Sequence, residues 1–186
     1  MEPLPPQPAA RGFLFLDKPR GRTSQQALSP LKRALREKRI GHAGTLDPLA
    51  TGLLVVAVGK ATRLLSHVEG SDKEYLVSLR PGVRTDTLDM DGAVLSESHA
   101  SWEGADWAAL VAPFLGEVDQ IPPSYSAISV DGVRSYERAR RGEMVDLPPR
   151  RVRIDSVELV EGGSPLAGSG WEAGDATLRV RCSKGT

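Results

Sequence analysis

The sequence predicts an α+β domain with a mixed, mostly antiparallel β-sheet and flanking helices. Several segments of the 186 residues alternate apolar with polar residues or form short valine-rich runs, and both patterns are typical of strands. Two Asp-Gly pairs, Asp91-Gly92 and Asp131-Gly132, lie between such segments, where this dipeptide favours a tight hairpin. Short helical patterns are interspersed among the strands, and this combination indicates the α+β class.

The first third of the chain begins with a strand and a helix. The apolar stretch GFLFLDKP, residues 12–19, predicts a short strand. The following stretch, GRTSQQALSPLKRALREKRIG, predicts a helix capped by Thr23 or Ser24. Three leucines follow the i, i+3, i+7 spacing of one helix face: Leu28, Leu31 and Leu35. Pro30 interrupts this pattern, so either the helix kinks there or Ser29 caps a shorter helix that starts at Pro30.

Strands and short helices follow in turn along the middle of the chain. LLVVAVG, residues 53–59, predicts a buried strand, and KATRLLSHVEG predicts a short helix closed by Gly70. KEYLVSLRPG alternates as a strand that carries Tyr75 on one face. The acidic loop RTDTLDMDG leads into a further strand, and WEGADWAALVAPFLGEV, residues 102–118, predicts a helix.

The last third is dominated by strands. QIPPSYSAISVDGVRSYERARRG predicts a strand, an Asp-Gly turn and a short basic helix. RRVRIDSVELVE and ATLRVRCS alternate as two further strands, and a loop rich in glycine and serine joins them.

Basic residues are concentrated in two blocks, although 24 Lys and Arg balance 24 Asp and Glu overall. Between Lys18 and Arg39 the chain has eight basic residues and one acid. Between Arg134 and Arg153 it has seven arginines and three acids. Such blocks in a neutral chain indicate either a surface that faces phosphates or ordinary solvated helix faces, and the sequence alone leaves both open.

The composition, with 40% hydrophobic and 26% charged residues, is that of a globular protein. Cys182 is the only cysteine, which excludes a disulfide within the chain and fits a reducing cytoplasm. No apolar run approaches the roughly 20 residues of a membrane span. Residues 1–11 are rich in proline and lack the apolar core of a signal peptide, so they predict a flexible lead-in. We therefore expect a cytoplasmic protein with no membrane partner.

One carboxylate stands in a loop of small and apolar residues, IGHAGTLDPLATG. Asp47 lies there between Leu46 and Pro48. A carboxylate suits a nucleophile or base that works beside a cationic, oxocarbenium-like centre. An aspartate before proline is also a common turn former, so the local pattern alone does not distinguish the two roles.

Five stretches, in order, resemble the TruB-type tRNA pseudouridine synthases. LDKPRGRTS, residues 16–24, is similar to that family's first motif, and GHAGTLDPLATGLL, residues 41–54, to its second, catalytic motif. SDKEYLVSLRPGVRTDTLDMDG and IPPSYSAISVDGVRSYERARRGE follow in the family's order, and RCSKGT resembles the opening of its third motif. Each stretch alone is weak because glycine, proline and aspartate are common in turns. Five in order make an accidental similarity implausible.

The resemblance implies a pseudouridine synthase-type catalytic domain and an isomerase that acts on RNA. Such an enzyme breaks the glycosidic bond of a uridine, rotates the base and joins its C5 to the sugar. In this family the substrate is the uridine at position 55 in the T loop of tRNA. The resemblance also implies the tRNA T arm as partner, a monomer, and no cofactor or metal. The chain agrees in having neither a Cys/His ligand cluster nor a glycine-rich phosphate loop.

The resemblance also assigns roles to individual residues. Asp47 is the expected catalytic aspartate, acting on the sugar or the base, or assisting elimination through a glycal. Tyr75 is expected to stack on the flipped base, which needs an aromatic cover because leaving the helical stack costs a few kcal/mol; the alternative is a core aromatic. His42 is expected to enter the RNA loop near the flipped nucleotide. Asp89 is expected to contact the RNA or to order the site; the alternative is a solvated acidic loop.

Residues outside the second motif are expected to support the site or contact the RNA backbone. Lys18 and Pro19 are interpreted as structural, with Lys18 satisfying backbone or carboxylate groups beneath the site. Phosphate contacts position an RNA without reading its sequence. The candidates for such contacts are Arg33, Arg36, Arg138, Arg140 and Arg141. Cys182 is expected to be a small buried apolar residue.

The resemblance places residues 12–186 as the N-terminal part of a catalytic domain. Family members continue after the KGT of the third motif with a tyrosine, an apolar residue and an arginine that pairs with the catalytic aspartate. They then add the rest of the catalytic domain and a small C-terminal RNA-binding domain, both absent from these 186 residues. Two other interpretations stay open: a chain that binds tRNA through its basic blocks without catalysis, and a guide-RNA-dependent relative from the same superfamily.

Overall fold

The structure is a computed structural model, and it describes residues 11–122, 129–130, 133–134, 147–160 and 175–186. The chain forms two compact units, Met1–Ser71 and Asp72–Thr186. The predicted basic helix after residue 134 and the glycine- and serine-rich loop at 161–174 lie outside the described residues. In the described parts of the chain, no helix has the length and apolar character needed to cross a membrane.

The first unit is a three-stranded antiparallel sheet with short helices packed against it. Its strands lie in the order β1-β3-β2, with β3 in the centre. The strands are β1 (Gly12–Lys18), β2 (Ile40–Ala43) and β3 (Gly52–Val58). The helices are α1 (Ser24–Ala27), α2 (Ser29–Leu35) and α3 (Leu65–Glu69), the last preceded by a 3₁₀ segment, Gly59–Leu64. The predicted strand at residues 12–19 and the helix closed by Gly70 are confirmed, with Gly70 as the C-cap in a right-handed conformation.

The helix predicted after residue 21 is two short helices joined at Leu28. Thr23 caps the first: its hydroxyl accepts from the Gln26 N–H at 3.1 Å. Ser29 does not cap the second, because Leu28 holds the N-cap position and makes no side-chain cap bond. Pro30 has no N–H to bond a carbonyl of the preceding turn, so the helix has to restart around it.

The core of the first unit lies between the sheet and these helices. Its buried residues are Leu28, Ile40, Leu54, Val56 and Val58. Four partly buried leucines pack against them: Leu14, Leu16, Leu31 and Leu35. The predicted buried strand β3 is confirmed except near its start, since Leu53 is 64% exposed whereas Val56 and Ala57, on opposite faces, are both 0% exposed. Successive side chains of a strand point to opposite faces, and the face of Leu53 is covered further along β3, where Leu65 of α3 lies against Gly41, the partner of the buried Ala57.

The second unit is built on a four-stranded antiparallel sheet in the order β4-β11-β10-β7. These strands are β4 (Lys73–Leu79), β7 (Gly116–Gln120), β10 (Arg150–Leu159) and β11 (Ala176–Cys182). Two hairpins accompany the sheet: β5 (Val83–Thr85) with β6 (Val94–Glu97), and β8 (Ser129–Val130) with β9 (Val133–Arg134). Both hairpins span a predicted Asp-Gly turn, and every strand pair among the described residues is antiparallel.

The helix predicted over residues 102–118 is much shorter in the structure. The helix α4 spans Trp107–Val111, capped by Asp106, whose carboxylate accepts from the Ala109 N–H at 3.1 Å. A 3₁₀ turn containing Pro113 follows, and residues 116–120 then form β7. The apolar spacing suggested a helix, but Pro113 and Gly116 end it, and pairing with β10 recruits GEVDQ into the sheet.

Candidate active site

Asp47 lies in the loop that joins β2 to the central strand β3. Asp47 is exposed, and its backbone carbonyl accepts a hydrogen bond from the Ala50 N–H at 3.1 Å, which closes a tight turn. Gly44 and Gly52 stand before and after the turn with φ of +79° and +121°, a region that residues with a side chain rarely adopt. The local sequence therefore bends the chain sharply on both sides of Asp47 and leaves this residue open to solvent.

The segment Lys18–Ser24 holds this turn directly after Asp47. The Pro48 carbonyl accepts from the Gly21 N–H at 2.7 Å. It also accepts from the Lys18 ammonium, with an Nζ–O distance of 3.4 Å. The stretch that resembles the family's first motif thus contacts the stretch that resembles its second, and the two lie on one side of the first unit.

Lys18 is a buried cation whose ammonium group donates hydrogen bonds to backbone carbonyls. The side chain is 0% exposed, and its ammonium also donates to the carbonyls of Arg22 at 2.7 Å and Pro19 at 3.1 Å. Burial lowers the pKa of Lys18, and the negative charge of Asp47 opposes this by raising the pKa. The expectation that Lys18 satisfies backbone groups beneath the Asp47 loop agrees with these contacts. Lys18 also supplies positive charge close to the Asp47 carboxylate.

The turn is held directly before Asp47 by Ser24. The Ser24 hydroxyl accepts from the Leu46 N–H at 2.9 Å and donates to the Leu46 carbonyl at 3.1 Å. Sequence reasoning considered Ser24 only as a helix cap and missed this contact. Ser24 lies in the RTS end of the first motif, and this position was the only sequence feature that pointed to a role at the site. The pairing with Leu46, 22 residues away, is visible only in the structure.

His42 lies on β2, opposite Val56 of β3, and is partly buried. Its Nδ1 forms a short hydrogen bond with the Gly44 carbonyl. A carbonyl oxygen can only accept, so Nδ1 carries the proton in this arrangement. This bond holds the imidazole ring at the start of the loop that carries Asp47. His42 and Asp47 thus lie at the same end of β2 in the first unit.

Tyr75 and Asp89 belong to the second unit. Tyr75 lies on β4 opposite Val180 of β11 and is 37% exposed, so it is not a fully buried core aromatic. Asp89 is exposed in the loop between β5 and β6, where its carboxylate accepts from the Thr87 hydroxyl at 2.6 Å and the Asp91 N–H at 3.0 Å. These bonds show that Asp89 orders its own loop.

The basic helix α2 presents cations to solvent. Arg33 and Arg36 are exposed, as expected from their position away from the leucine stripe. They line a shallow surface depression together with Lys32, Glu37 and Lys38. Arg36 ends α2 in a left-handed conformation with φ of +48°. The other candidate phosphate contacts, Arg138, Arg140 and Arg141, lie outside the described residues.

Comparison with known proteins places this chain among pseudouridine synthases. Residues 32–186 match the family described as "TruB family pseudouridylate synthase (N terminal domain)". The tRNA pseudouridine synthase B of Cupriavidus pinatubonensis is 45% identical over 184 residues, which cover 99% of this chain and 56% of that protein. The protein of the same name from Opitutus terrae is 42% identical, over 98% of this chain and 73% of its own length.

Solved structures resemble the fold. A chain in the crystal structure of a Cbf5-Nop10-Gar1 complex is 26% identical with a TM-score of 0.62, over 94% of this chain and 40% of that chain. A chain in the structure of an H/ACA RNP bound to a substrate RNA containing 2'-deoxyuridine has a TM-score of 0.59 at 24% identity, over 94% of this chain and 38% of that chain. The predicted fold class is therefore confirmed.

The match spans most of the chain, and the chain spans a little over half the length of most of the curated relatives it matches. The resemblance drawn from five motifs is thereby confirmed at the level of the family. Its second motif, in the turn around Asp47, lies inside the matched residues. The chain belongs to the TruB family of pseudouridylate synthases and contains the N-terminal domain of that family.

Proposed function

We propose that the protein containing this chain converts uridine to pseudouridine at position 55 in the T loop of tRNA, with Asp47 as its catalytic residue. The observation that carries the proposal is the Asp47 turn, which is open to solvent and held before and after Asp47 by the first-motif segment. The names of the relatives that are 42–45% identical, tRNA pseudouridine synthase B, support tRNA as the substrate class.

The reaction needs a carboxylate at a place that a nucleotide can reach. The glycosidic bond from N1 of the uracil to C1′ of the ribose breaks, and a bond from C5 to C1′ forms. N1 ends with a proton and C5 loses one, so the reaction is a balanced isomerisation. The sugar develops positive charge when the bond breaks, and a carboxylate can bond to that centre, bond to the base, or assist elimination through a glycal. Asp47 has the required exposure.

The remaining site residues are proposed to bind the substrate. Tyr75 stacks on the flipped uracil, a role that its partial exposure permits. His42 contacts the RNA loop from the start of the Asp47 turn, where its bond to Gly44 fixes the ring. Asp89 orders the loop between β5 and β6 and contacts the RNA from there. Arg33 and Arg36 contact phosphates, and we extend this role to Arg138 and Arg141.

Neutralising Arg33 and Arg36 together, as Arg33→Gln and Arg36→Gln, is expected to weaken tRNA binding. Each phosphate contact that is lost should lower the slope of log affinity against log salt by about 0.7–0.9, so the double variant should lose about 1.5. Filter binding of unmodified tRNA over a series of salt concentrations measures this slope.

The change Glu37→Gln is the matched control at the same surface. It removes a negative charge among these cations, and glutamine keeps the oxygen that accepts from the Arg39 N–H. We expect tighter binding in this variant. A double arginine variant with the slope of the unchanged protein would contradict the assignment of phosphate contacts to α2.

Mapping the product on tRNA tests the proposed function itself. The complete protein is incubated with a tRNA transcript, and pseudouridine is located by carbodiimide modification and primer extension. We expect pseudouridine at the T-loop uridine and none in a transcript in which that uridine is replaced by cytidine. Binding without pseudouridine would instead favour the non-catalytic tRNA-binding interpretation, and pseudouridine elsewhere would remove the T-loop assignment.

The curated relatives favour a stand-alone enzyme over a guide-RNA-dependent one. The proteins named tRNA pseudouridine synthase B are 42–45% identical to this chain, whereas the Cbf5 complex chain is 26% identical. From the family resemblance we also propose a monomer that acts on the tRNA T arm in the cytoplasm without a cofactor. Sedimentation of the complete protein with and without tRNA measures its oligomeric state.

A further inference from the structure

Ser24 makes two hydrogen bonds with the residue before Asp47. Its side chain is almost fully buried, at 2% exposed. The hydroxyl accepts from the Leu46 N–H at 2.9 Å and donates to the Leu46 carbonyl at 3.1 Å. A serine hydroxyl has one donor hydrogen, and here that hydrogen is committed to the Asp47 turn.

The beginning of helix α1 does not need the Ser24 side chain. Thr23 is the N-cap, and a capping box joins Thr23 and Gln26 through bonds of 3.1 Å and 2.9 Å. Those two residues satisfy the helix terminus between themselves. Ser24 follows as the first residue of the helix, and its hydroxyl is directed to a loop 22 residues further along the chain.

Leu46 and Pro48 are the two neighbours of Asp47 in sequence, and both are held by the segment Lys18–Ser24. Ser24 bonds both backbone groups of Leu46, and Gly21 and Lys18 donate to the Pro48 carbonyl. The Asp47 backbone is therefore fixed from both sides while its side chain stays exposed.

We infer that Ser24 is a positioning residue for Asp47: through its two bonds to Leu46 it holds the Asp47 carboxylate where the nucleotide is attacked. This inference rests on the proposed function, in which Asp47 acts on the substrate. Ser24 does not touch the substrate in this role. Without the hydroxyl, the Leu46 N–H and carbonyl lose their partner and the turn moves toward water, which can satisfy both groups. A misplacement of about 1 Å in a catalytic group costs on the order of 100-fold in rate.

The change Ser24→Ala tests this inference in the complete protein. We expect kcat for pseudouridine formation to fall by on the order of 100-fold with KM unchanged, because the lost contact affects the placement of Asp47 rather than RNA binding. We also expect the Leu46 amide to exchange with deuterium faster than in the unchanged protein. Exchange reports the contact independently of any activity.

The matched control is Thr23→Ala, at the preceding residue. It removes the N-cap hydrogen bond of the same helix and leaves the Ser24–Leu46 bonds in place. We expect the stability of the protein to fall by the amount that is usual for a lost N-cap. We expect kcat and Leu46 exchange close to those of the unchanged protein. A Thr23→Ala variant that loses as much kcat as Ser24→Ala would reduce Ser24 to a general stability role and overturn the inference.

Two further outcomes separate this inference from the proposed function. If the unchanged protein is active and Ser24→Ala keeps its kcat, the inference fails and the proposed function stands. If the unchanged protein forms no pseudouridine, the proposed function fails and the positioning role of Ser24 fails with it. Unaltered Leu46 exchange in Ser24→Ala would contradict the contact itself.

Discussion

Replacing Asp47 by asparagine is expected to abolish pseudouridine formation by the complete protein. Asparagine keeps the size of the side chain, but its amide cannot act as a nucleophile or as a proton acceptor toward the ribose or the uracil. Loss of a single catalytic side chain lowers kcat by on the order of 10⁴- to 10⁶-fold. The rate of tritium release from tRNA labelled at uridine C5 measures the reaction, because C5 loses its hydrogen when it joins the sugar.

Binding and folding should survive this substitution. Asp47 is exposed, and the turn is held by backbone groups of its neighbours, which asparagine leaves unchanged. We therefore expect tRNA affinity and the melting temperature to stay close to those of the unchanged protein. Asp17→Asn is the matched control, since Asp17 is also an exposed aspartate of the first unit, on β1 opposite Leu53. Equal tritium release by Asp47→Asn and the unchanged protein would remove Asp47 from the mechanism.

Replacing Lys18 by methionine is expected to destabilise the protein and to lower its activity together. Methionine matches the length of the side chain but donates no hydrogen bonds. Three carbonyls then lose a donor: those of Pro19, Arg22 and Pro48. A buried acceptor left unsatisfied costs about 1–3 kcal/mol, and relief from burying a charge offsets part of the total. We expect a net loss of about 2–4 kcal/mol in the free energy of unfolding.

The activity loss has two local causes. The Pro48 carbonyl would keep only the Gly21 N–H as a donor from the first-motif segment, and the carboxylate of Asp47 would lose a nearby positive charge. Urea unfolding measures the stability, and single-turnover assays below the unfolding range measure the rate. Lys60→Met, at an exposed lysine of the same unit, should change stability by less than about 0.5 kcal/mol. If the Lys18→Met protein is as stable as the Lys60→Met protein, the buried ammonium does not contribute to the free energy of unfolding.

The strands were predictable from sequence wherever alternation or an apolar run was long enough to decide the period. Residues 12–19 and 73–79 are examples, and both form strands in the structure. The helix predicted over residues 102–118 is confirmed only for Trp107–Val111, because Pro113 and Gly116 end it and GEVDQ becomes β7 by pairing with β10. The break at Leu28 was anticipated only as an alternative, since Pro30 permits either a kink or a new start.

The sequence by itself determined the family, the turn around Asp47 and the identity of the expected catalytic carboxylate, because motifs in order and turn-forming glycines are local properties of the chain. Only the tertiary structure decided what holds that carboxylate. The bonds from Ser24 to Leu46 and from Lys18 to Pro48 join residues 22 and 30 positions apart. Such pairings depend on how β1 and β2 lie on either side of β3, and no local pattern encodes the distance between two segments that a sheet brings together.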